Sequence, residues 1–210
     1  MSEPFRVGVL VSGEGTNLQA LLDSVHRSDG IEVVGVAASR SQARGLERAR
    51  GAGVDTAVFE LSEYADRGAR DGALGDWLEE KGVRLVVLAG FMEILGPSFI
   101  RRFEGRIVNV HPSLLPSFPG IRSIEAALEH GVKVTGVTVH FVDEGVDSGP
   151  IILQEALPLT YPATVEEVER KVHEIEHQLL PRAVRLIAAG AVHTDPDNPR
   201  ITRIEDGDDG

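Results

Sequence analysis

Short apolar runs recur along the first half of the chain, each separated from the next by a stretch with helical spacing. Arg6–Ser12 (RVGVLVS), Glu32–Ser39 (EVVGVAAS), Leu85–Ala89 (LVVLA) and Ile107–Val110 are Val-, Ile- and Leu-rich and short, which predicts buried strands. Asp55–Phe59 is a weaker run of the same kind. Helical spacing starts at Leu18 and returns at Ala43–Ala52 and Tyr64–Lys81, where Leu74, Trp77 and Leu78 share a face. Pro97–Phe103 predicts a short helix with Pro near its first position. Strand and helix in strict alternation predict an α/β fold with a doubly wound, mostly parallel open sheet.

The pattern then changes. Ile124–His130 is a short helical run, and Val134–Phe141 (VTGVTVHF) alternates with period two. Ile151–Leu159 alternates more loosely, and the intervening Val142–Pro150 is rich in Asp and Gly, so a hairpin-like antiparallel pair with a long loop is expected. Thr164 and Glu167 form a capping box ahead of a long helix. The apolar stripe of that helix is Val165, Val168, Val172, Ile175 and Leu179, and Pro181 should kink or restart it. Ala191–Thr194 reads as a last edge strand, and 195–210 as a loose polar tail. With no repeat and no linker, one domain over 1–194 is expected, with a first half to about 105 and a second over 106–194.

Composition narrows the function classes. The 210 residues are 42% hydrophobic and 26% charged, enough for a real core. A net charge of -12 opposes a general nucleic-acid or anionic-membrane binder. The absence of Cys excludes disulfides, thiolate metal sites and a cysteine nucleophile. No run reaches the length of a membrane span. The N-terminal apolar run passes directly into a glycine turn, so it reads as a core strand and not as a signal peptide, and a cytoplasmic protein is expected.

Several stretches carry candidate chemistry. In IVNVHPSLLPSFPG, residues 107–120, Asn109 and His111 stand two apart at the end of a strand, where side chains i and i+2 share a face. Ligands bind at such carboxyl ends in open α/β sheets. An amide can stabilise an oxyanion, and an imidazole carries a proton near neutral pH. The turn Ser12-Gly13-Glu14-Gly15-Thr16-Asn17 opens a helix and is built like an anion site. It is neither the dinucleotide fingerprint, since Leu18 replaces the third glycine, nor a Walker loop, and a plain tight turn is the alternative. Glu14 suits an anion there only if it points away. Asp143, Glu144 and Asp147 lie in the loop after the alternating strand, and any of them could hold His111; spacing does not choose. His140 reads as a supporting or ordinary partly buried residue. His173-Glu174-Ile175-Glu176-His177 matches H-E-x-x-H, but a zinc hydrolase also needs a third ligand and a base. The charges of Ala43–Arg50 and Trp77–Lys81 read as solvated helix faces.

Asn109-Val110-His111-Pro112-Ser113-Leu114-Leu115-Pro116, followed by Phe118-Pro119-Gly120, resembles the signature of the folate-dependent formyltransferases. Ser12–Leu18, Gly45–Ala49, Val86–Met92, Val139–Val142 and Asp147–Ile152 agree in order, so the likeness covers roughly residues 6–190. The resemblance implies transfer of the formyl group of 10-formyltetrahydrofolate to the amine of glycinamide ribonucleotide in purine biosynthesis, without a metal. It implies that Asn109, His111 and Asp147 are catalytic, and that Gly15, Thr16 and Asn17 hold the ribonucleotide phosphate. Glu176 would contact the amine end of that substrate. Arg67, Met92, Glu93, Ile94 and Leu95, with Asn109 and the loop Asp143, Glu144, Gly145, Val146 and Asp147, would line the folate pocket. Two positions depart from the pattern: Glu93 stands where relatives often carry a basic residue, and Ser123-Ile124 where some carry His. The implied partners are small molecules, with no nucleic acid and no membrane, and are compatible with a homodimer. The alternatives are another formyl-group enzyme acting on tRNA, a sugar nucleotide or formylfolate itself, and a non-catalytic nucleotide-binding module. The first group usually carries an extra region for which this length leaves no room, and acidity opposes tRNA.

Overall fold

Strand and helix alternate through the first half as the apolar runs predict. The computed structural model describes residues 3–205. In it β1 (Phe5–Val11), α1 (Thr16–Ser24), β2 (Ile31–Ala38), α2 (Arg44–Gly51), β3 (Thr56–Val58), α3 (Arg67–Glu80), β4 (Leu85–Leu88), α4 (Pro97–Arg102) and β5 (Ile107–His111) follow one another. Helical spacing predicted α3 from Tyr64, but the helix starts three residues later. Asp66 sets that start, because its carboxylate accepts the Ala69 N–H at 2.8 Å and caps the first turn. The second half supplies α5 (Ser123–Glu129), β6 (Val134–Phe141), β7 (Ile151–Pro158), α6 (Val165–Ala188), β8 (Val192–Thr194) and β9 (Thr202–Ile204). The main sheet has seven strands in the order β3-β2-β1-β4-β5-β6-β7. The chain divides into two compact units, the first running to Asn109 and the second beginning at Val110.

In the first unit β1 pairs in parallel with β2 on one side and β4 on the other, so strand order reverses at β1. Val7, Val9, Leu10 and Val11 of β1 are fully buried. Burying each such side chain contributes about 1.5–3 kcal/mol. Helix α3 lies close on the strands: a Cβ on Gly8 would stand 2.7 Å from Leu78 Cδ2, and one on Gly35 2.6 Å from Trp77. Trp77 is therefore a packing residue, edge-on to Phe59 with ring centroids 5.9 Å apart.

In the second unit β6 and β7 form the expected antiparallel pair. The Thr164–Glu167 capping box is present, and α6 packs on both strands. Pro181 does not end or restart α6, which runs on to Ala188. The proline and its neighbours Leu179, Leu180, Ala183 and Val184 are all buried, and this packing outweighs one missing helix hydrogen bond. The strand predicted at Ala191–Thr194 is not an edge of the main sheet; β8 pairs with β9 in a small sheet of its own. Part of the stretch expected to be a loose tail is thus structured. Asp195 is buried, accepts the Asp197 and Asn198 N–H groups and pairs with Arg203. The rest of that expected tail, 206–210, lies outside the described residues.

Candidate active site

In open α/β sheets, the reversal of strand order opens a crevice at the carboxyl ends of the two central strands. Here those ends are the exits of β1 and β4, both in the first unit. The β1 exit is the glycine turn. Gly15 is the N-cap of α1 at φ 71°, a left-handed conformation, and no side chain caps the helix. Helix geometry leaves first-turn N–H groups without an intrahelical acceptor, and they form the positive end of the dipole. A Cβ on Gly15 would stand 2.7 Å from Gly45 Cα, so only glycine fits there. Glu14 is drawn off by α2: its carboxylate pairs with Arg44 at 3.1 Å, and its carbonyl accepts Arg48 Nε at 2.8 Å. Arg48 also donates to Gln19. The reading of the α2 charges as solvated holds for Arg44, which is exposed, and is corrected for Arg48, which is half-buried and braces the turn. Contacts this far apart in sequence leave no periodic signal.

The β4 exit is fixed to the same end of the sheet. Ser12 N–H donates to the Gly90 carbonyl at 3.1 Å, and Met92 N–H donates to Ser12 Oγ at 2.8 Å. Ser12 Oγ and Ser39 Oγ, from the ends of β1 and β2, are 2.8 Å apart and buried. Beyond this anchor Met92 and Ile94 are more than 60% exposed, whereas Leu95 is buried. Glu93 is half-buried, and Arg67 is exposed at the start of α3. Asn109 is half-buried in β5.

In the second unit His111, the last residue of β5, is 4% exposed. Its Nε2 lies 2.9 Å from the Phe118 carbonyl. A carbonyl only accepts, so Nε2 carries a hydrogen and Nδ1 is the position that titrates. Nδ1 lies 3.4 Å from Asp147 Oδ2. Asp147 Oδ2 also accepts the Gly120 N–H at 2.8 Å, and Oδ1 lies 3.7 Å from His140 Nε2. His140 repeats the arrangement of His111: its Nδ1 donates to the Phe141 carbonyl at 2.7 Å, which leaves Nε2 to face the carboxylate. It is 2% exposed and stands against the carboxylate. Of the three acids that spacing could not separate, the structure brings Asp147 to His111. Asp143 accepts Ser148 Oγ at 2.7 Å and the Gly145 N–H at 3.0 Å, closing the loop on itself, and Glu144 and Val146 are exposed. Asp147 holds φ 50°, a conformation non-glycine residues seldom take and one that clusters at functional sites.

Electrostatics follow from this geometry. Burial pushes the His111 imidazole below its ordinary pKa; the Phe118 carbonyl and Asp147 pull it part of the way back, and His140 pushes it down again. Burial alone would raise the Asp147 carboxyl, but His140, the Gly120 N–H and His111 together outweigh it and hold the group at about 2. A carboxylate held charged well below neutral pH therefore faces the titrating nitrogen of an imidazole whose pKa burial lowers. That arrangement accepts a proton and stabilises it once it has arrived.

On α6, Glu176 is 5% exposed. His173 and His177 stack with centroids 6.2 Å apart. Among the described residues no group of three or more His, Asp or Glu is placed to hold a metal ion. Arg70 and Asp71, both fully buried on α3, are a pair that helical spacing alone did not mark.

Residues 5–184 match the family model described as formyl transferase. Phosphoribosylglycinamide formyltransferase of Haemophilus influenzae is 41% identical over 186 residues, 88% of either chain. The trifunctional purine biosynthetic protein adenosine-3 of Gallus gallus is 47% identical over 89% of this chain, which spans only 19% of that longer protein. Glycinamide ribonucleotide transformylase 1 from Symbiobacterium toebii superposes with a TM-score of 0.93 at 47% identity, covering 98% of this chain and 96% of that one.

Proposed function

The chain belongs to the formyl transferase family, and from that premise we propose that it moves the formyl group of 10-formyltetrahydrofolate to the amine of glycinamide ribonucleotide, in purine biosynthesis. The observation that carries this reading is the buried His111–Asp147 pair at the end of a sheet strand, two residues beyond Asn109. A reaction that makes and collapses a tetrahedral intermediate needs such an acid–base pair and an amide donor.

The amine nitrogen attacks the formyl carbon, and the carbonyl pair moves onto oxygen. Asn109 donates a hydrogen bond to that oxyanion. The attacking nitrogen gives up its proton through His111 Nδ1, where Asp147 stabilises the imidazolium. The intermediate collapses, the carbon–nitrogen bond to the folate breaks, and the proton passes to the departing nitrogen. Gly15, Thr16 and Asn17 hold the phosphate of the ribonucleotide through backbone N–H groups, and Glu176 contacts its amine end. Arg67, Met92–Leu95 and Asp143–Asp147 line the folate pocket. Both substrates are small molecules, the folate is consumed as a co-substrate, and the reaction is placed in the cytoplasm.

The test is to mix the protein with 10-formyltetrahydrofolate and glycinamide ribonucleotide and follow deformylation by absorbance. Deformylation that requires the ribonucleotide is expected. Deformylation by water alone, or only with a sugar amine, overturns the assignment.

A further inference from the structure

The loop that leaves β4 has an anchor at its far end as well as at its start. Arg70 is 0% exposed and Asp71 1% exposed. Arg70 Nε donates to Asp71 Oδ1 at 2.6 Å, and Asp71 Oδ2 accepts the Gly96 N–H at 2.6 Å. Arg70 Nη2 donates to the Ile94 carbonyl at 3.2 Å, and the guanidinium carbon stands 6.0 Å from the Phe91 ring centroid. Between this anchor and the serine pair that holds Met92 N–H, the backbone of 92–96 is fixed while two apolar side chains project outward.

Stability does not account for such a pair. A buried ion pair loses hydration on both partners, and apolar residues of similar size often serve folding as well or better. This pair is also incompletely satisfied, since Arg70 Nη1 is buried without a hydrogen-bond partner. What the pair does is direct both of its satisfied arms at one short loop. Fixing a recognition loop in its bound shape lowers the ordering cost of binding.

We propose that Arg70, acting with Asp71, is a positioning residue that holds the loop 91–96 in the shape that receives the formyl donor. This rests on the functional reading above, in which Met92–Leu95 line that pocket. Arg70 touches no reacting atom.

The variant Arg70→Lys keeps a cation beside Asp71 but lacks the planar fork, so it cannot hold Asp71 and the Ile94 carbonyl together. The double variant Arg70→Met/Asp71→Asn removes both charges. Two measurements decide. Hydrogen exchange at the Met92 and Gly96 amides should quicken about tenfold or more in Arg70→Lys, with exchange in β1 and β2 unchanged. The KM for the formyl donor should rise about 3- to 10-fold in Arg70→Lys and further in the double variant, while kcat and the KM for the ribonucleotide stay within about twofold. Unchanged exchange in a folded Arg70→Lys protein overturns the anchor. Faster exchange with an unmoved donor KM overturns the positioning role. If the double variant does not fold, Arg70→Lys decides alone. A wild-type protein without formyl transfer fails the functional reading, and the positioning role with it, and is told apart because it appears before any substitution.

Discussion

At the exits of β1 and β4, braced from behind by Arg48 and by the Arg70–Asp71 pair, the polar groups at the front are backbone, hydroxyls and glycine: the N-terminal turn of α1, the Ser12–Ser39 pair and the Met92 N–H. None of those groups titrates near neutral pH. At the exit of β5 and around the loop after β6, the polar work is done by two buried imidazoles and a carboxylate. The first region can bind a charge without moving a proton; the second can move a proton and binds through it. The two regions thus carry different kinds of group, and each kind should fail in its own way when altered.

The largest break expected is in the titrating region. His111→Ala and Asp147→Asn should each lower kcat about 10²- to 10⁴-fold, the range for loss of a general acid–base group, with KM values within a few-fold. Steady-state kinetics with both substrates varied reads this directly, and near-normal turnover in either variant removes the proton-carrying role. In the non-titrating region, Gly15→Ala puts a side chain on a left-handed residue and against the Gly45 backbone. The KM for the ribonucleotide should rise about tenfold and the protein should lose about 1–2 kcal/mol of stability, while kcat holds. A fall in kcat with an unmoved KM would erase the contrast between the regions. The smallest effect is a shift in pH dependence. His111 must be neutral to take the proton, so the rate falls as pH drops through its pKa. Asp147 raises that pKa. Asp147→Asn should therefore move the acid limb of the residual kcat/KM profile to lower pH, and a limb that moves up contradicts the pairing.

The alternation of strands and helices was legible because each buried parallel strand is a nearly continuous apolar run, and because Thr164 and Glu167 mark the start of α6 locally. Asn109 and His111 were visible as a pair for the same reason: strand geometry relates neighbours two apart. Asp147 could not be separated from Asp143 and Glu144, since what distinguishes it is an unusual backbone angle and a contact 36 positions back along the chain. Arg70–Asp71 and the two α2 arginines were missed on similar grounds. Arg48, Arg70 and Asp71 reach loop carbonyls and amides, which every residue carries, and Arg44 reaches a carboxylate 30 positions back. At Pro181 the restart that a local rule allows does not occur, because packing along the face of α6 carries the helix through.

The contact between Gly15 and Gly45 limits which substitutions the turn can take. A Cβ on Gly15 meets Gly45 Cα at 2.7 Å, and a Cβ on Gly45 meets Val11 Cγ2 at 2.9 Å. Positions 11, 15 and 45, drawn from a strand, a turn and a helix, are therefore packed as one unit. A methyl at 45 could be answered by trimming Val11, a side chain, but one at 15 meets backbone, which no substitution at 45 or 11 removes.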